Sequence, residues 1–167
     1  MTISLVTDYK HGISAIDAQF HRPKRAAIHL LVEDGKAALI DTGTNSSIPG
    51  VLEALQQKNI AMEDVAYVIL THIHLDHAGA AGLIARENPA VTVHVHPFGA
   101  PHLIDPTKLI NSATRIYGDQ MEPLWGEFAP IHPDQVVAFA DEQIMRVAGR
   151  NMQVFFTPGH EIGRAHV

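Results

Sequence analysis

Residues 66–71, Ala-Tyr-Val-Ile-Leu-Thr, form an apolar run that feeds directly into His72-Ile73-His74-Leu75-Asp76-His77. A run this short and this apolar predicts a strand buried on both faces. Three imidazoles and a carboxylate at its end are costly to bury unless each finds a partner. Alternate residues of an extended segment project to one side, so His72 and His74 share a direction and can share one metal. A tight turn then sends Asp76 and His77 to a second point close by. Imidazole and carboxylate donors without thiolate suit Zn²⁺, Fe²⁺ or Mn²⁺. Such an ion lowers the pKa of a bound water toward ~7, and Asp76 is placed to ligate and to hold that water in line for attack. His160 is the natural third ligand of the first ion, on a loop stiffened by Pro158 and freed by Gly159.

Composition excludes several alternatives. The 167 residues contain no cysteine, which removes disulfides, thiolate metal sites and thiol nucleophiles together. Eighteen acidic against 12 basic side chains, a formal charge of −6, argue against a nucleic-acid partner. No apolar run approaches ~18 residues, so no membrane span is predicted. Residues 1–10 lack a basic start and a sustained apolar stretch, so they do not read as a secretory leader. A cytoplasmic protein acting on a small-molecule substrate is the expectation, with oligomeric state left open. An apolar content of 46% excludes a disordered chain. At this length about 70% of the unfolded surface can be buried, enough for one domain.

Short strands are predicted at 3–7 and 13–16. The runs at 26–32 and 36–41 flank Asp34-Gly35, a strong hairpin signal because both centres of a type I′ turn need positive φ. Ser46 or Ser47 caps a helix to about residue 58, with Val51, Leu52 and Leu55 on one face. A small-residue helix follows at 78–86 and an alternating strand at 91–96. Asp105-Pro106 opens a helix to about Tyr117. Residues 118–133 read as loop, and strands resume near 136–139, 143–147 and 152–157. Strands mixed with helices predict an α/β chain with a mixed sheet. His94 and His96 read as ordinary sheet positions. His102, Tyr117 and Trp125 lie in 97–135, long enough for a lid or substrate wall; a core or surface position reads at least as well for each.

Thr71-His72-Ile73-His74-Leu75-Asp76-His77-Ala78-Gly79 resembles the signature of the metallo-β-lactamase fold superfamily, the metallo-hydrolases that include glyoxalase II-type thioesterases. Leu39-Ile40-Asp41-Thr42-Gly43 and Thr157-Pro158-Gly159-His160 resemble its earlier strand-end motif and its third-histidine motif, in matching order and spacing. The resemblance implies that His72, His74 and His160 form a first metal site, while Asp76 and His77 begin a second. It makes Asp41 a supporting residue of the metal loop; a turn-forming Asp after a strand reads equally well. It also implies an αβ/βα sandwich, of which residues 1–160 supply the first half. The family's bridging aspartate and last histidine would fall beyond the end of this chain, so the sandwich is incomplete at its C-terminus.

Residues 161–167 can be encoded by GAG ATC GGA AGA GCA CAC GTC, the start of a widely used short-read sequencing adapter whose next codon is a stop. They read as a non-native tail on a truncated gene sequence, and His166 is not a ligand. Removing Glu161 and Arg164 with the tail leaves the net charge at −6.

The function expected is a metal-dependent hydrolase, with two zinc ions in the full-length form, acting on a small ester, thioester or lactone. Antibiotic hydrolysis is disfavoured by the missing leader. The rivals are a mononuclear iron oxygenase of the same fold and an inactive fragment; the chain as it stands is expected to be weakly active or inactive, because Asp76 and His77 begin a second metal position that needs downstream ligands to close. One fold hosts many chemistries, so the substrate is left open.

Overall fold

A computed structural model of the chain describes residues 5–160; the tail reading at 161–167 lies outside the described residues. β1 (Val6–Asp8) and β2 (Ile13–Asp17) pair antiparallel, and β2 pairs with β3 (Ala27–Glu33). Asp34 and Gly35 take φ of 50° and 74°. That conformation turns β3 tightly onto β4 (Lys36–Ile40), with Glu33 opposite Lys36. β1 is shorter than the strand predicted at 3–7, and residues 3 and 4 lie outside the described range.

Beyond β4 the sheet changes sense. α1 (Ile48–Gln57) crosses over to β5 (Val65–Ile69), which lies parallel to β4. The single turn α2 (Leu75–Ala78) and α3 (Ala81–Glu87) lead to β6 (Thr92–Val95), parallel to β5. α4 (Ala100–Ile104), α5 (Thr107–Tyr117) and α6 (Met121–Trp125) then precede β7 (Val136–Ala138), parallel to β6. The result is a seven-stranded mixed sheet in sequence order, β1 to β7. A separate hairpin, β8 (Ile144–Val147) and β9 (Arg150–Gln153), turns at Ala148 and Gly149.

One sheet face packs on helices: Ile28, Leu30, Leu39, Val68 and Val93 meet Val51, Leu55, Ile84 and Leu103 in the main core. On the other face, Leu31 and Ala38 are covered by Val147 and Ala148 of the β8–β9 hairpin. Arg150 fastens that hairpin by an ion pair with Glu33 and a hydrogen bond to the His11 carbonyl. β5 therefore departs from burial on both faces. Val65 and Val68 are fully buried, but Tyr67 and Ile69 are half-buried, because a two-stranded hairpin covers little of a seven-stranded face.

Other expectations shift in detail. Leu52 is exposed, and the inward stripe of α1 is Val51, Ala54 and Leu55, the i, i+3, i+4 positions that share a helix face. Ser47 precedes α1 without capping it; its hydroxyl donates to the Ala18 carbonyl at 2.6 Å. α5 begins one residue after Pro106, and Asp105 Oδ1 accepts from the Thr107 N–H at 3.2 Å and its hydroxyl at 2.6 Å. Residues 118–133 include α6, whose Pro123 sits in the first turn, where a helix needs no N–H. The final strand ends at Gln153, not near residue 157. Past it, the Val154 and Phe156 N–H groups bond to Gln143 O and Asp141 Oδ1, both at 2.8 Å. Among the described residues no helix is long and apolar enough to cross a membrane.

Candidate metal centre

Parallel strands all deliver their C-terminal ends to one edge, where ligand sites of α/β sheets gather. β4 delivers Asp41 and β5 delivers Thr71 and His72. Asp41 itself takes φ of 62°, which directs its buried side chain back across the neighbouring strand end. Its Oδ1 accepts from the Thr71 N–H at 2.8 Å, and both oxygens lie within 3.0 Å of Thr71 Oγ1. Its Oδ2 also stands 2.8 Å from His77 Nδ1.

The loops after β4 and β5 are clamped together. Thr42 N donates to the His77 carbonyl at 2.7 Å, and Ala80 N donates to the Gly43 carbonyl at 3.0 Å. Gly43 has φ of 65°, and a Cβ there would meet Ser47 Oγ at 2.2 Å. A Cβ on Gly79 would stand 2.3 Å from the Leu75 carbonyl oxygen and 3.0 Å from that of Gly43. Gly79 thus permits the close approach of one loop to the other, while Gly43 lets its own loop fold tightly onto Ser47.

Hydrogen-bond direction assigns the tautomers. A carboxylate only accepts, so the Thr71 hydroxyl donates to Asp41 and is left to accept from His72 Nδ1–H, 3.0 Å away. This leaves the lone pair of His72 on Nε2, and that atom is buried with no protein partner. By the same reasoning His77 donates through Nδ1 and presents Nε2, which is 3.6 Å from Asp76 Oδ2. Burial, reinforced by the neighbouring imidazoles of His77 and His74, lowers the His72 pKa from 6.5 to about 4. His72 is therefore neutral at pH 7, with its lone pair available.

His72, His74 and His160 offer ligand atoms that all lie within 4.8 Å of one another. Their rings stand nearly edge-on, with centroids 4.8 Å apart for His72–His74, 5.2 Å for His72–His160 and 5.0 Å for His74–His160. The His77 ring is 4.1 Å from that of His72, on the Asp41 side. Three converging imidazoles, one with an orphaned buried nitrogen, form a donor set that fits a divalent ion of the zinc class. Asp76 and His77 stand as an adjacent pair outside that trio. Thr71, which had no assigned role in the sequence, is the link between Asp41 and His72. Its place immediately before the first histidine was the available signal. His94 lies in the sheet with its ring tilted against those of Tyr67 and Phe139, centroids 5.6 and 5.7 Å away. His96 packs on Phe98 and Phe156.

The family profile of the metallo-beta-lactamase superfamily matches residues 22–167. The metallo-beta-lactamase fold-containing protein ST1585 of Sulfurisphaera tokodaii is 24% identical over 153 residues, 90% of this chain and 54% of that protein. The lactamase-like protein aptB of Emericella nidulans is 26% identical over 164 residues, 95% of this chain and 42% of its own. The chain thus spans about half the length of these relatives. The crystal structure of the metallo-beta-lactamase GOB-18 from Elizabethkingia meningoseptica superposes with a TM-score of 0.66 at 21% identity, covering 96% of this chain and 55% of that one. Two strand-end motifs, a histidine trio at one sheet edge and this match over most of the sequence agree: the chain belongs to the metallo-β-lactamase superfamily.

Proposed function

We propose that the protein is a metal-dependent hydrolase of small esters, thioesters or lactones, with zinc as its ion. The observation that carries this is the orphaned Nε2 of His72, held unprotonated by Thr71 and Asp41 beside His74 and His160. These three histidines would hold one ion, and Asp76 with His77 would contribute to a second. A bound ion supplies Lewis acidity and makes water a nucleophile at neutral pH.

The chain's own residues have separable tasks. Asp41 orients His77 directly and His72 through Thr71. His74 and Asp76 line an open cleft, so a substrate carbonyl can approach them from that side. Asp76 holds the attacking water in line through its carboxylate and takes its proton as the water oxygen bonds to the carbonyl carbon. The C–O or C–S bond then breaks, the proton passes to the leaving oxygen or sulfur, and an acid and an alcohol or thiol are released.

The test is to load the chain, and a form extended past His160, with zinc or with iron and assay a thioester, ester and lactone panel alongside oxygen uptake. Zinc-dependent hydrolysis by the extended form, lost in Asp76→Asn, with little turnover by the 167-residue chain, is the expected result. Iron-dependent oxygen consumption without hydrolysis would replace this reading with the oxygenase, and no turnover with either ion would mark the chain as inactive by itself.

A further inference from the structure

A cleft of about 580 Å³ opens beside His74 and Asp76, within the range of roughly 300–1,000 Å³ that small-molecule sites occupy. Its far wall is aromatic. Phe20 stacks on Trp125 with ring centroids 5.1 Å apart, and Tyr117 meets Trp125 edge-on at 5.2 Å. Leu109 and Ile116 of α5 complete the apolar lining. Ile116 is 76% exposed and Tyr117 37% exposed on the open side of this cleft, whereas Phe20 and Trp125 are buried in its wall. The cleft thus offers a mostly apolar lining with a few polar groups, the usual make-up of a small-molecule site. Arg25 lines the same cleft, with its guanidinium 5.5 Å from the Phe20 ring centre. Among the described residues no carboxylate pairs with Arg25.

Resting on the hydrolase reading above, we propose that this cleft is the subsite for the non-reacting part of the substrate, and that this part is an apolar chain or aryl group ending in a carboxylate. The apolar body lies between the Phe20–Trp125 stack and Ile116, while the free carboxylate meets Arg25. The cleft is continuous with His74 and Asp76, so a ligand seated there presents its other end to the metal centre. Charge selects in the same sense: a guanidinium resting on an aromatic face is weakly hydrated and presents its donors as a fork suited to a carboxylate.

Trp125 is the only tryptophan and sits in the cleft wall, so its fluorescence reports occupancy directly. The full 167-residue chain is titrated in chelator with butyrate, hexanoate, octanoate and phenylbutyrate, and with octanol as the uncharged control. Chelation keeps a carboxylate from binding an ion instead of Arg25. The expected result is saturable quenching or shift, with affinity rising about fourfold per added methylene. Octanoate should bind more tightly than octanol. Ile116→Asp, on an exposed position that does not threaten folding, should weaken octanoate about tenfold by placing a charge against its chain. Arg25→Gln should abolish the preference for octanoate over octanol and leave the dependence on chain length intact. No saturable change with any carboxylate, or octanoate affinity unaltered in Ile116→Asp, would overturn the proposal. Binding without turnover, in the extended form as well as the 167-residue chain, would remove the hydrolase reading alone, whereas turnover without dependence on chain length or charge would remove the subsite alone.

Discussion

Asp41 is the residue on which the site turns, because one carboxylate fixes His77 directly and His72 at one remove. Asp41→Asn keeps the volume but turns one oxygen into a donor, so either Thr71 or His77 faces an N–H where it needs an acceptor. Loss of such an outer partner weakens a metal site by about 10- to 100-fold, and competition against a zinc chelator should read that loss with the fold intact. The sequence showed Asp41 only as an acid after a strand, equally consistent with a turn, because its function depends on a neighbour 30 residues away. His94 is a second case. Burial lowers its pKa below the usual 6.5. The unfolded chain therefore takes up a proton that the folded chain refuses, and stability falls as pH drops below 6.5. Denaturant midpoints measured from pH 7 to pH 5 should fall less steeply in His94→Leu than in the parent chain.

At the level of elements, legibility followed local chemistry. The Asp34-Gly35 hairpin was readable because its two left-handed residues are a requirement of the turn itself. The strand at 65–69 was readable from its apolar run, and the metal loop from its spacing. α4 and α6, each five residues long, were not, since so short a helix shows no periodicity and each carries a proline. The clamp between the two motif loops was also invisible: Gly43 and Gly79 are far apart in sequence and meet only in the fold. Gly79→Ala should cost about 1–3 kcal/mol as an overpacked contact. Its thermal midpoint and zinc affinity should fall together, because the added methyl forces apart the loops that carry Asp41 and His77.

On the scale of the whole molecule, the helix-covered face supplies the main core and the opposite face supplies the link to His160. The β8–β9 hairpin docks on that face through Val147 and Ala148 and leads into residues 154–160. Val147→Ala and Leu55→Ala remove buried contacts on opposite sides of the sheet, and each should cost about 1–3 kcal/mol in denaturant unfolding. The two should differ in metal binding. Val147→Ala loosens the element that brings His160 to the edge and should lower zinc affinity, whereas Leu55→Ala should leave it unchanged. The mixed sheet and its class were legible from the order of runs. The partial cover of the second face was not, since strand patterns do not record how many strands pack above them.

The most direct test of the metal centre is a cobalt titration of the chain, followed by visible absorption, beside His72→Ala, His74→Ala and His160→Ala. The arrangement of these three side chains predicts a tight cobalt site with a low-symmetry absorption band, and loss of that band in each variant. An unchanged band in His160→Ala, or no band in the parent chain, would contradict the assignment of these three histidines to one ion.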